Sequence, residues 1–171
     1  IIEIFETCGL KVLLGAPTGR AAKRMSESTG KEATTIHRML DMGVFEKEES
    51  VFVTNAEEHS LEADVVIIDE ASMIDITLMN ALLKSIKVGT RLIIVGDVDQ
   101  LPSVGAGNVL NDFIESGFTK VVRLKEIFRQ GKESMIILTA HRINNGELPY
   151  LNKKGGDFFF DNREDNKSIL S

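Results

Sequence analysis

Residues 63–73 read A-D-V-V-I-I-D-E-A-S-M, an apolar run that ends abruptly in two carboxylates, Asp69 and Glu70. A continuous β-branched run with polar residues on each side is typical of a strand that is buried on both faces of a parallel sheet. Such a sheet binds its ligand at the carboxyl ends of its strands, where these two acids would lie. Adjacent acids there suit a hydrated Mg²⁺ and an attacking water, although a strand followed by a solvated acidic loop is the alternative interpretation.

A second apolar run, at residues 91–95, also ends in an acid. Residues 96–102 read G-D-V-D-Q-L-P, so Asp97 follows this strand and Gln100 lies in the loop beyond it. The helical stripe between the two runs predicts a strand–helix–strand unit with parallel strands that open toward one edge. Gln100 is predicted to reach a nucleotide phosphate or a water there, because an amide both donates and accepts hydrogen bonds. A turn with a surface glutamine is the alternative.

A third strand, predicted over residues 11–16, runs into the turn P-T-G-R at residues 17–20. Thr18 is the expected N-cap of a helix that Gly30 ends, since a threonine hydroxyl caps free N–H groups and glycine accepts a left-handed stop. The turn therefore combines a hydroxyl, free backbone N–H groups and Arg20. These groups suit a phosphate, either of a nucleotide or of a nucleic-acid backbone.

Weaker signals lie around these strands. Residues 34–40 predict a short capped helix on which His37 faces either a phosphate backbone or the solvent. Residues 120–124 predict a strand that leads to Arg129, whose guanidinium suits a terminal phosphate because it binds oxygens bidentately and stays ionised. A lone loop arginine usually has no such role. The remaining predicted elements are an edge strand at 51–54, helices capped at Asp75 and spanning 132–145, and a strand at 157–160.

The composition favours a globular protein without a broadly basic surface. The formal net charge is −6, which argues against a generally basic surface that coats nucleic acid. It is compatible with a local basic groove. The chain has no apolar run long enough to span a membrane and no recognisable signal peptide, so a cytoplasmic setting is expected. The single cysteine, Cys8, excludes an internal disulfide framework.

Four segments are ordered along the chain in a recognisable way. They read A-P-T-G-R-A-A-K-R at residues 16–24, V-I-I-D-E-A-S-M at 66–73, I-V-G-D-V-D-Q-L-P-S-V at 94–104 and L-K-E-I-F-R-Q at 124–130. Together they resemble the motor of the RecD-like helicases, the alpha subunits of exodeoxyribonuclease V and their stand-alone relatives within helicase superfamily 1. The segments T-I-H-R at 35–38 and A-H-R-I-N-N-G-E-L-P at 140–149 are also similar to that family. Several ordered motifs are far more specific than any single one.

The resemblance implies an α/β fold, namely a RecA-like P-loop NTPase motor domain. Its sheet is expected to be mostly parallel, with helices on both faces, and incomplete at the N-terminus. Residues 1–131 would form a partial first motor domain that lacks the Walker A strand and loop. Residues 132–171 would form a connecting helix and the truncated start of a second motor domain.

The resemblance also implies roles for individual residues. Asp69 and Glu70 are similar to a Walker B pair, in which Asp69 binds Mg²⁺ through water and Glu70 is the base for the hydrolytic water. Gln100 resembles the residue that senses the γ-phosphate of ATP, and Arg129 resembles an arginine that stabilises charge on that phosphate. The segment that touches the backbone of single-stranded DNA is identified with Pro17, Thr18, Gly19 and Arg20, with His37 as an additional contact.

One motif of the family is missing from this sequence. The phosphate-cradling loop, G-x-x-x-x-G-K-[ST], occurs nowhere in the chain. The resemblance puts it just before residue 1, so the chain is predicted to be a fragment that binds ATP poorly and does not unwind DNA by itself. The missing strand is expected to leave a cleft in the sheet or an unpaired edge, which invites rearrangement or self-association.

Two classes of function follow. The first is an ATP-dependent DNA helicase that translocates on single-stranded DNA in recombination and repair, either alone or with other subunits of a helicase–nuclease complex. The second is a motor-like module that holds DNA or a partner subunit without hydrolysis; Glu70 and Gln100 argue against it, since such a module needs neither. A different P-loop ATPase is disfavoured by the segment 96–100 followed by Arg129.

Overall fold

A four-stranded parallel sheet forms the centre of the larger part of the chain. The structure is a computed structural model that describes residues 1–42, 60–124, 134–151 and 157–159. The strands are β1 (Val12–Ala16), β2 (Ala33–Thr35), β3 (Val65–Ile68) and β4 (Arg91–Ile94), in the order β2-β1-β3-β4. β3 pairs in parallel with β1 on one side and with β4 on the other. The predicted pair of neighbouring parallel strands is therefore confirmed.

Six α-helices are described along the same residues. They are α1 (Ile2–Thr7), α2 (Gly19–Thr29), α3 (Ile36–Met39), α4 (Ile76–Ser85), α5 (Val109–Glu115) and α6 (Met135–Asn144). The predicted caps of two of them are confirmed: the Thr18 hydroxyl accepts from Ala21 N at 3.2 Å, and Asp75 Oδ1 accepts from Leu78 N at 2.8 Å. Gly30 ends α2 in the left-handed conformation, as predicted.

The core lies on both faces of the sheet. All four residues of β3 are buried, and they alternate between two apolar clusters, with Val66 and Ile68 in one and Val65 and Ile67 in the other. The first cluster packs against α4 and α5, and the second against α2. Burying each such side chain contributes about 1.5–3 kcal/mol, which makes β3 the best-anchored strand. The predicted parallel sheet with helices on both faces is confirmed.

Three predictions of local structure fail or cannot be compared. Within the described residues no strand forms at 120–124 or at 157–159, so those two predicted strands are wrong over these ranges. The strand β2 was not predicted, since the letters A-T-T carry little apolar signal and the strand owes its existence to pairing with β1. The predicted edge strand at 51–54 lies outside the described residues.

The chain divides into two compact units, residues 1–121 and 122–171. In the second unit the carboxylate of Asp157 caps α6: Met135 N donates to its Oδ1 at 2.6 Å, and the Ser134 hydroxyl donates to its Oδ2 at 2.5 Å. The predicted boundary at residue 131 lies outside the described residues and stays a prediction. None of the described helices is both long and apolar enough to cross a membrane.

Candidate nucleotide site and nucleic-acid cleft

The two acids of the central segment lie immediately after β3, at its carboxyl end. Asp69 continues the strand by donating its backbone N–H to Gly15 O at 2.9 Å, and its Oδ1 accepts from Glu70 N at 2.9 Å. Glu70 then adopts the left-handed conformation, with φ 54° and ψ 40°. This conformation is rare for a residue with a side chain and costs about 1–2 kcal/mol. Such strain is found preferentially at functional sites.

The turn that carries these acids is packed against the end of the neighbouring strand. Ala71 N donates to Val95 O at 3.0 Å, which ties the two strand ends together. A Cβ on Gly96 would lie 3.0 Å from Ala71 N and 3.2 Å from Ser72 N, so only glycine fits there without a shift. The predicted acids of β3 and β4 therefore emerge from two turns that touch through their backbones.

Gln100 lies in an exposed turn after β4 and is organised by Asp97. Its backbone N–H donates to Asp97 O at 3.2 Å, and Asp97 Oδ1 accepts from Asp99 N at 3.0 Å. The Gln100 side-chain amide approaches Asp97 Oδ2 at 3.5 Å, which is long for a hydrogen bond. The amide is thus held near the rim and is exposed to solvent, where a ligand can compete for it.

The residues around Asp69 suit a metal ion held jointly by a carboxylate, substrate and water better than an ion enclosed by protein ligands alone. In the described part of the chain, no group of three or more His, Cys, Asp or Glu side chains could enclose a metal ion. The described residues therefore contain no cage made only of protein ligands. Mg²⁺ is commonly held by one or two carboxylates together with substrate phosphates and waters, and the half-buried carboxylate of Asp69 fits that arrangement.

A cleft of about 220 Å³ opens at the same edge of the sheet. Its walls come from the segments that follow all four strands: Pro17 and Thr18 after β1, His37 after β2, Met73 and Asp75 after β3, and residues 102–105 after β4. In parallel sheets, ligands bind in crevices at the carboxyl ends of the strands. The cleft is therefore where this fold is expected to hold a ligand.

One wall of the cleft is formed by the start of α2. Thr18 caps that helix and accepts from Ala21 N, while the other N–H groups of the first turn have no partner within the helix. The helix dipole adds partial positive charge at this end. Gly19 and Arg20, in the same turn, are exposed to solvent. This wall can bind a phosphate of a nucleic-acid backbone.

Another wall is formed by the start of α4 and the loop after β4. Ile76 N donates to Ala106 O at 2.9 Å, which fastens the loop to the helix. A Cβ on Gly105 would lie 2.1 Å from Asp75 Oδ2, so the loop backbone is pressed against this carboxylate. Met73 and Val104, which are 45% and 108% exposed, give the wall an apolar surface.

The structure brings three of the predicted DNA-contacting residues, Pro17, Thr18 and His37, into one cleft. Asp69, Glu70 and Gln100 lie at the same edge of the sheet, on the turns after β3 and β4. Arg129 lies outside the described residues. The sequence predicts Asp75 only as a helix cap, and it carries no signal for a place in the cleft, because a capping aspartate looks the same whether or not a loop folds over it.

A larger cavity, of about 460 Å³, lies at the opposite, amino edge of the sheet. It is bordered by Lys11, by residues 62–64 and by residues 87–90. The Lys87 ammonium pairs with the Glu62 carboxylate there, and this contact lowers the pKa of Glu62. Both side chains are largely exposed and none of the predicted site residues is present, so the cavity is a surface groove between ion-paired loops.

Comparison with known proteins agrees with this geometry. The model of a family described as "AAA domain" matches residues 1–156. The ATP-dependent RecD2 DNA helicase of Deinococcus radiodurans is 39% identical over 149 residues, which are 87% of this chain and 20% of that protein. The RecBCD enzyme subunit RecD of Mycolicibacterium smegmatis is 35% identical and covers 80% of this chain and 27% of its own length. The similarity to RecD-type helicases that the motifs predict is confirmed.

A solved structure gives the same result for the fold. The structure of Bacteroides Pif1 bound to single-stranded DNA aligns with 85% of this chain, and the alignment covers 39% of the Pif1 chain. The TM-score is 0.54 and the sequence identity is 20%. At this identity the likeness concerns the fold alone, and it confirms the predicted motor-domain architecture. The chain spans about a fifth to a quarter of the length of the curated relatives described above.

Proposed function

Since the chain belongs to the AAA domain family, we propose that it forms part of the first motor domain of an ATP-dependent, RecD-type DNA helicase. The observation that carries this proposal is the shared edge: the acids after β3 and a cleft built from all four strand ends lie on the same side of the sheet. One side of the fold can then bind a nucleotide and a single DNA strand together, as a translocating motor requires.

Hydrolysis is assigned to the turn after β3. Glu70 is proposed to accept a proton from the attacking water, and Asp69 to hold Mg²⁺ through water, where the ion would neutralise charge on the phosphates of ATP. The strained backbone of Glu70 supports this assignment, because it sets the direction of that side chain at the end of a buried strand. Gln100 is proposed to sense the terminal phosphate, and Arg129 to stabilise charge on it.

Binding of single-stranded DNA is assigned to the cleft. The start of α2, with Pro17, Thr18, Gly19 and Arg20, is proposed to hold the phosphate backbone, and His37 to add a contact from α3. The free N–H groups of the α2 terminus and the exposed guanidinium support this, since both favour an anion. The negative net charge of the chain makes such a local site the main source of attraction.

The pathway, location and partners concern the whole protein, since this chain spans only a part of its relatives' length. We infer that it acts in DNA recombination or repair in the cytoplasm, by itself or with the other subunits of a helicase–nuclease complex. The alternative function is a motor-like module that binds DNA or a subunit without hydrolysis. ATP hydrolysis separates the two. It is measured with and without single-stranded DNA, in a polypeptide extended at its N-terminus by the phosphate loop that the resemblance implies. DNA-stimulated turnover supports the motor, and binding without turnover supports the module.

The assignment of DNA to the cleft is tested with the 171-residue chain and a labelled single strand. Arg20→Ala should weaken binding to any sequence, and should lower the slope of log affinity against log salt concentration by about 1, the value expected for one lost phosphate contact. Lys84→Ala is the matched control, because it removes an exposed positive charge from the last turn of α4. Equal effects of the two substitutions would contradict a phosphate contact at Arg20.

A further inference from the structure

The two walls of the cleft differ in chemistry. The wall at the start of α2 offers a hydroxyl and free N–H groups, both of which favour an anion. The wall at the start of α4 carries the carboxylate of Asp75 beside the exposed apolar side chains of Met73 and Val104. A phosphate would be repelled by that carboxylate, whereas the apolar face of a base can pack against aliphatic side chains. A single strand in the cleft therefore has one favoured orientation across it.

The carboxylate of Asp75 is also held in a defined position. Its Oδ1 accepts from Leu78 N at 2.8 Å, so the rotamer is fixed by the helix that it caps. Its Oδ2 lies against the backbone of Gly105, and both residues line the cleft. The side chain is half-buried, which limits competition from water. A fixed oxygen of this kind accepts hydrogen bonds and cannot donate them.

We propose that the α4 wall faces the bases of the bound strand and that Asp75 makes the cleft prefer bases with an amino group over bases with only a carbonyl at that position. This inference rests on the proposed binding of single-stranded DNA in the cleft. A carboxylate accepts from the N4 amino group of cytosine, as it does in groove recognition. It repels the O4 carbonyl of thymine or uracil, which is itself an acceptor, and the nearest donor of these bases is the N3–H beside that carbonyl.

The sharpest probe is a pair of oligonucleotides that differ at this edge of the base and nowhere else. Oligodeoxycytidine and oligodeoxyuridine have the same backbone and ring size, and neither has the thymine methyl group. Their affinities for the 171-residue chain are measured by fluorescence anisotropy at the same salt concentration. We expect cytidine to bind about three- to tenfold more tightly, the range for one net hydrogen bond.

Asp75→Asn replaces the carboxylate by an amide of about the same size, and so tests the role of the carboxylate alone. Asparagine caps helices as well as aspartate does, so α4 should stay folded, which circular dichroism checks. The new side chain also has a donor, so the preference for cytidine should disappear. Asp112→Asn, in the first turn of α5 and exposed, is the matched control for the loss of one negative charge. It should change both affinities alike and keep their ratio.

Three results would overturn the inference. Equal binding of the two oligonucleotides by the unsubstituted chain would mean that the bases do not meet Asp75. A cytidine preference that survives in Asp75→Asn would assign the selectivity to another group. In either case an effect of Arg20→Ala on the salt dependence would leave the DNA-binding cleft itself intact. Failure of both oligonucleotides to bind would overturn the cleft as a DNA site together with the inference.

Discussion

The backbone of Glu70 adopts an unfavourable conformation that sets the direction of its side chain. Its φ of 54° is one of two positive values among the non-glycine residues that the structure describes, the other being at Asp41. Asp41 follows the short helix α3, where Met42 N bonds back to His37 O, as in an ordinary left-handed helix end. Glu70 ends no helix and follows a buried strand. The strain at Glu70 is therefore not explained by a helix end, and such strain is typical of functional sites.

Replacing Glu70 by glycine separates strain from chemistry. Glycine removes a left-handed cost of about 1–2 kcal/mol and adds about 0.5–1 kcal/mol of chain entropy in the unfolded state, so the free energy of unfolding should be unchanged or rise by up to about 1.5 kcal/mol. ATP hydrolysis should be lost, since the proposed base is gone. Urea denaturation of the 171-residue chain measures the first quantity, and an ATPase assay of the N-terminally extended polypeptide measures the second. A clear loss of stability would mean that the Glu70 side chain supports the fold.

At the scale of single helices and strands, the sequence predicts the features that depend only on neighbouring residues in the chain. The caps at Thr18 and Asp75 and the stop at Gly30 follow from side-chain oxygens and glycine, and all three are confirmed. The sequence does not predict whether a segment will find a neighbouring strand to pair with. β2 forms because β1 offers an edge. Residues 120–124 have the composition of a strand but lie unpaired in the described residues, with Val122 85% and Leu124 92% exposed.

The cap of α6 makes that helix sensitive to acid. Hydrogen bonds from the Ser134 hydroxyl and then from Met135 N hold the pKa of Asp157 below its ordinary value of 3.8. A carboxyl whose pKa is lower in the folded state stabilises it fully above the unfolded pKa, and this contribution is lost as the pH falls through the folded value. We therefore expect Asp157 to stabilise the first turn of α6 fully at neutral pH, and this turn to fray as the pH falls below about 3.8.

Amide hydrogen exchange in the first turn of α6 measures this fraying as the pH is lowered. Asp157→Ala should expose the same amides at every pH, because it removes the acceptor itself. Asp112→Ala removes one carboxylate from the first turn of α5, a helix of the other unit, and serves as the control. If acid left the exchange in α6 unchanged relative to α5, the lowered pKa would have no structural consequence.

At the scale of the whole molecule, the sheet has an open edge at β4. Arg91 N and Val95 N donate to Asp64 O and Ile68 O, on the side of β3. Because successive N–H groups of a strand alternate in direction, those of Leu92 and Ile94 point to the other edge. No strand among the described residues covers that edge. Whether this edge results from a missing strand, as the family resemblance implies, stays a prediction.

Amide exchange tests this edge directly. The amides of Leu92 and Ile94 should exchange about tenfold faster or more than those of Arg91 and Val95, since they lack a partner in the sheet. Equal protection of all four would mean that another strand, from the same chain or a second copy, covers β4. A rise in protection with protein concentration would identify the second copy, as the expected self-association requires.

The central claim, that the turn after β3 is a hydrolytic site, is tested most directly by DNA-stimulated ATP hydrolysis of Glu70→Gln in the N-terminally extended polypeptide. Glutamine keeps the size of the side chain and removes its basicity, so turnover should fall by about 10²–10⁴-fold, the usual contribution of a general base. Glu27→Gln, on the exposed surface of α2, should keep full turnover. Unchanged turnover in Glu70→Gln would contradict the account.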